Sequence, residues 1–187
     1  MKRIVITLAA STLTLGACGH NTQGAEGNAG NAEATNANAN TAAPAVSADQ
    51  TFANTAAASD AFEIQSSQLA ASNASSSAVK SFAQRMIAAH TASTQKLKTA
   101  ASTASPPITP DATLTPDQQQ KLAQLKSQSG AAFDSAYVDD QIAAHQAALD
   151  GLRNYSANGS VPSLKTFATQ LIPTVTAHLN MAKGLKH

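Results

Sequence analysis

From about residue 49 onward, apolar side chains recur every three or four positions, and that spacing predicts helices throughout. The first runs from about Asp49 to Ala71, rich in alanine and carrying Phe52, Phe62, Ile64 and Leu69. The second, from about Ser76 to Ala100, puts Val79, Ala83, Met86, His90 and Leu97 on one stripe. Three prolines between Ser105 and Pro110 force a break, because proline cannot continue a helix and pushes the residue before it toward extended backbone. Thr115-Pro116 reads as a cap followed by proline in the first turn, opening a short helix to Ser127. Gly130 then either kinks this helix or splits it from the next, which spans roughly Ala131 to Tyr155 with Val138, Ile142, His145, Leu149 and Leu152 aligned. Asn158-Gly159 ends that helix. The last covers Ser160 to Lys183, with Leu164, Phe167, Leu171, Val175 and His178 on one side and Pro173 expected to bend it. Nothing alternates with the period of a strand for long enough to argue for a sheet.

The chain also repeats itself. Lys80-Ser81-Phe82-Ala83-Gln84-Arg85-Met86-Ile87 is echoed by Lys165-Thr166-Phe167-Ala168-Thr169-Gln170-Leu171-Ile172, and each copy opens the second helix of a helical hairpin. Two similar hairpins imply an all-α, four-helix bundle with pseudo-twofold symmetry and an extra short helix in the central connection.

Before the bundle the pattern changes. Lys2 and Arg3 precede a largely apolar run from Ile4 to Leu15, which reads as a secretory signal over residues 1–17. That run is too short for a permanent membrane span. Leu15-Gly16-Ala17-Cys18 has the form of a lipobox, so Cys18 is the expected lipidation site and membrane anchor. Several acyl chains on one residue anchor stably where a single chain would be marginal. Gly19 rather than Asp follows the cysteine, and the resemblance to Gram-negative lipoproteins then implies the periplasmic face of the outer membrane. Residues 18–47 continue as a low-complexity tether of Gly, Asn, Ala, Thr and Glu, holding His20, with too little apolar surface to offset the entropy of ordering. Residues 48–187 form one domain.

Composition narrows the chemistry. Removing residues 1–17 takes Lys2 and Arg3 from the twelve basic residues, leaving ten against eleven acidic ones, a formal net charge of −1. There is no basic patch with interleaved aromatics, so nucleic acid is not an expected partner. Cys18 is the single cysteine, which excludes disulfides, thiolate catalysis and iron–sulfur clusters from the domain.

Three histidines remain in the domain before the final residues, His90, His145 and His178, each on or beside the apolar stripe of a different helix. Glu63 lies on the remaining long helix. Glu63 precedes Lys80 by 17 residues and His145 precedes Lys165 by 20; His90 follows Lys80 by 10 and His178 follows Lys165 by 13. Each pair of offsets differs by three, close to one helical turn, so all four side chains are expected at similar depth. One carboxylate and three imidazoles suit a single Fe, Mn or Zn ion. Asp134 and Gln141, on the His145 face, are candidates for a supporting shell or a further ligand. A di-metal centre of the usual bundle type needs Glu-x-x-His pairs, whereas Ile87, Ile142 and Val175 stand three residues before the histidines. The alternative is that the histidines are neutral core residues, each satisfied by a carboxylate or carbonyl. No nucleophile elbow or phosphate loop is present.

Phe62-Glu63, Val79-Lys80-Ser81-Phe82-Ala83 with Met86 and His90, Phe133-Asp134 with Tyr137, Gln141 and His145, and Phe167-Ala168 with Leu171, Pro173 and His178 together resemble the DUF4142 family. The resemblance spans roughly Asp49 to Lys183, with Ala89 where the family usually carries Asp. It implies a ferritin-like bundle and an envelope location, and it supplies no reaction. The expected function is therefore an envelope lipoprotein, more consistent with a non-enzymatic protein that binds one metal and assists metal or oxidative-stress tolerance. The alternatives are a metal-dependent oxidoreductase of the ferritin-like class and a structural or interaction lipoprotein without metal.

Overall fold

A computed structural model describes residues 46–186; the expected signal segment, the expected lipidation site Cys18 and all but the end of the expected tether lie outside them. Among the described residues five helices follow in order: α1 (Ala48–Asn73), α2 (Ser77–Ser102), α3 (Pro116–Lys126), α4 (Gly130–Asn158) and α5 (Pro162–Gly184). The described residues are all-α, as their periodicity requires. No helix among the described residues is long and apolar enough to cross a membrane.

Local chemistry sets the boundaries. Ser47, Ser76 and Thr115 each cap a helix through the side-chain oxygen, and Thr115 and Gln118 form a reciprocal capping box ahead of α3. Gly130 does not kink a continuous helix. It opens α4 at φ +63°, after the short break that ends α3. Only glycine adopts that left-handed backbone without steric cost. The α5 helix continues through Pro173 without interruption.

Hairpins α1–α2 and α4–α5 pack side by side, with α1 against α4 and α2 against α5, while α3 lies over α1 and α4. The two hairpins cap each other. Asp49, at the start of α1, accepts hydrogen bonds from the Ser160 hydroxyl (2.5 Å) and backbone N–H in the α4–α5 turn, and from the Tyr155 hydroxyl (2.5 Å). Asp134, near the start of α4, accepts from the Ser76 N–H (2.9 Å) and from the N–H and hydroxyl of Ser75 in the α1–α2 turn. Asp49 precedes Lys80 by 31 residues and Asp134 precedes Lys165 by 31, so the reciprocal caps occupy equivalent places in the repeat. That is what a pseudo-twofold pair of hairpins demands.

The apolar interior is divided in two. One cluster gathers Leu97, Leu149, Leu152, Leu164, Phe167 and Val175; the other gathers Val79, Phe82, Met86, Leu125, Phe133 and Tyr137. Asp60, Glu63, His90, Gln141, His145 and His178 are all buried on the four long helices. The repeat pattern puts them midway along those helices, between the two clusters. Burying that many polar groups is unfavourable unless each finds a partner.

Candidate metal centre

Each long helix contributes to this polar layer. His90 on α2, His145 on α4 and His178 on α5 form a near-equilateral group, with ring centroids 5.5, 5.4 and 5.8 Å apart. One nitrogen from each ring lies within 4.8 Å of the others. Three nitrogens held about 2.0–2.1 Å from one ion would stand roughly 3.3–3.6 Å apart. The rings therefore need to close by about an ångström, a change within reach of side-chain torsions.

Hydrogen bonds fix which nitrogen is free. His145 Nδ1 donates to the Gln141 carbonyl at 2.8 Å, one helical turn earlier. His90 Nδ1 pairs with Asp60 Oδ1 at 2.8 Å, and the other Asp60 oxygen accepts from the Thr94 hydroxyl at 3.1 Å. These contacts leave the two Nε2 atoms as lone-pair acceptors. Both are buried without a partner among the described residues, and so is His178 Nδ1. An unmatched buried polar atom costs about 1–3 kcal/mol. Three on facing rings are poorly explained by packing and well explained by an ion. The donor set fits one: imidazoles in a closed site, two of them oriented by the hydrogen bond at the opposite nitrogen, as metal-bound histidines usually are.

Charge in the layer follows from burial. Desolvation pushes His145 down to about 4, only partly opposed by its bond to the Gln141 carbonyl. His178 is pushed down to about 4 by burial and then by the nearby His90. Burial also opposes charge on His90, but the Asp60 hydrogen bond and the Glu63 and Asp60 charges together outweigh it and raise His90 above the ordinary range. Glu63 is raised to about 7, again by burial, with His90 countering only in part.

Glu63 does not join the three ring nitrogens. Its Oε1 is 3.6 Å from His145 Nδ1, the nitrogen already committed to Gln141, and neither carboxylate oxygen has a hydrogen-bond partner. It stands behind a histidine rather than beside the candidate ion. Gln141 contributes through its backbone carbonyl, while its side-chain amide donates to the Ser66 hydroxyl at 3.3 Å. Asp134 is removed from the centre altogether. Eleven residues separate it from His145, about 16 Å along a helix, and its carboxylate is spent on the α2 cap. The carboxylate that does serve the centre is Asp60. Its signal was present in the repeat, since Asp60 precedes Lys80 by 20 residues just as His145 precedes Lys165 by 20. His90 thus takes its acidic partner from α1 across the hairpin, not from the neighbouring position 89.

The family model for a domain of unknown function, DUF4142, matches residues 33–185. The chain belongs to the DUF4142 family. Among solved structures, this DUF4142 protein is similar to CopM in its Cu(I)-bound form, with a TM-score of 0.60 over 73% of this chain and 93% of that one. The identity is 19%, so the likeness is one of fold. No curated protein sequence matches the chain.

Proposed function

We propose that this DUF4142 protein binds one transition-metal ion through His90, His145 and His178 and serves to hold or pass on that ion, without a reaction of its own. The observation that carries the reading is the set of three buried, unpartnered imidazole nitrogens on three helices. An all-imidazole set suits copper, zinc, nickel or iron, and affinity among divalent ions peaks at copper. Withdrawal of Glu63 from the donor set argues against manganese, which prefers carboxylate oxygen. Copper is our first choice, a choice supported by the Cu(I)-bound neighbour with the same fold. Zinc is second, since three histidines also suit it.

Titrating the full, metal-free chain anaerobically with Cu(I), and separately with Cu(II) and Zn(II), is expected to give one ion per chain. X-ray absorption should show nitrogen donors only, with imidazole scattering. Absence of a stoichiometric ion for every metal tried would sink the reading, and two ions per chain would turn it toward a dinuclear oxidase.

The lipobox around Cys18 supports attachment to the envelope, where a metal-holding protein would protect against metal or oxidative stress. Labelled palmitate should enter the chain in bacteria and be lost on Cys18→Ser. Labelling that survives the substitution would remove the anchor at this residue.

A further inference from the structure

The polar layer is not symmetric, and the difference opens a cavity. In the repeat, Glu63 corresponds to Ala148, His178 to Ser93 and His90 to Val175, each pair at the same offset from Lys80 and Lys165. Hairpin α1–α2 carries Glu63, His90 and Ser93 where α4–α5 carries Ala148, Val175 and His178, so a glutamate and two histidines are matched by alanine, valine and serine. Ala148, Ser93 and Val175 all line one cavity of about 290 Å³, bounded also by Asp60 and His90 and covered on one side by α3. The space is what the smaller residues leave unfilled.

We propose that this cavity is a second binding site, for a small neutral molecule with one or two aromatic rings and a single hydroxyl or carbonyl group. Its size, near the lower end for small-molecule pockets, admits one or two rings and excludes a helix or a bulky ligand. The walls favour aromatics. Phe52, Phe62 and Phe167 line it, and Phe52 is already stacked on Tyr155 at 3.8 Å and set edge-on to Phe167 at 6.4 Å. A planar ring would extend that arrangement over the alanine floor of α4, since aromatic groups gain from stacked and edge-to-face contacts beyond their buried area. The charged lining residues are spoken for: Asp60 by His90 and Thr94, Asp117 by Lys121 at 3.2 Å. No free charge awaits an ionic ligand, so the ligand is neutral. The polar handle is Ser93, a lining residue only 7% exposed. A ligand hydroxyl or carbonyl would pair with it.

The probe is 2-naphthol, titrated into the full, metal-free chain and followed by its fluorescence, so that failure of the metal reading leaves this test intact. Saturable binding of one molecule per chain is expected. Ser93→Ala should weaken it about fivefold, the worth of one neutral hydrogen bond. Filling the space with Ala148→Leu, or from the rim with Ala147→Leu, should weaken it more than tenfold while helical content stays unchanged. Non-saturable uptake by the native chain, or full affinity in both filled variants, would overturn the proposal.

Discussion

Replacing His145 with alanine is expected to lower affinity for the ion by more than about 100-fold, a larger loss than any supporting residue produces. His145 is 1% exposed, and its Nδ1 is tied to the Gln141 carbonyl at 2.8 Å, so the Nε2 lone pair has one direction available to it. Truncation removes that donor and leaves His90 and His178 as a pair of rings 5.8 Å apart. Two imidazoles hold an ion more weakly than three, and the Glu63 carboxyl behind the lost ring is held neutral by burial up to about 7. Asp60→Asn provides the scale. It keeps an oxygen for the His90 N–H but loses the negative charge that makes the ring a better donor, and outer-shell changes of this kind cost about 10- to 100-fold. Competition against a chromophoric chelator measures both, with helical circular dichroism confirming that each variant is folded. His145→Ala binding within a few-fold of the native chain would show that the three histidines are not the ligands.

The order of these effects also separates the candidate functions. If the histidines served packing alone, His145→Ala would change stability and leave metal content alone. A packing role would have each ring satisfied by a carboxylate or carbonyl, with no nitrogen left over. His90 and His145 are indeed paired, but at Nδ1 only, and the nitrogen opposite is left free on both.

Much of this was legible from spacing. The five helices follow the apolar periodicity and the capping residues, and the internal repeat showed two hairpins. It also put three histidines at one depth, where the structure gathers them. The acidic member is where the pattern misled. Glu63 and His145 differ by three residues in their repeat offsets, and three residues are short of a turn. They displace a side chain by about 4.5 Å along the axis and leave it roughly 60° off around it. That is enough to move Glu63 behind the His145 ring, while Asp60, at the matching offset, meets His90. Asp134 misled differently. It shares a face with His145, but sharing a face says nothing of distance along a helix, and the nearer demand came from the exposed N–H groups at the start of α2. The reciprocal role of Asp49 and Asp134 was also in the sequence, at an identical 31-residue offset, but only the turn geometry reveals what each carboxylate caps.

Glu63→Gln is expected to stabilise the metal-free protein by about 3 kcal/mol at pH 8, and by nothing attributable to charge below pH 4.5. The wild-type carboxyl is held at about 7 in the fold by burial, against an ordinary value of 4.5. Its native state therefore holds a proton that the unfolded chain has released throughout the window from 4.5 to 7. The stabilising contribution of the neutral form is complete below 4.5 and is lost as pH rises through 7, where a buried carboxylate with no hydrogen-bond partner must ionise. Glutamine removes that cost and retains the shape. The two depressed histidines work in the opposite direction: burial keeps them neutral, so their contribution is present above 6.5 and lost as pH falls toward 4. Both proteins share that loss, so the difference between their urea-unfolding curves reports Glu63 together with its pull on His90. A difference that stays flat from pH 4.5 to 8 would show that the carboxyl is not held neutral in the fold. A cation on the three imidazoles changes the balance, because its charge then lies one ring away from Glu63. With the ion bound, the advantage of glutamine should shrink, which ties the buried carboxylate to occupancy of the centre rather than to packing alone.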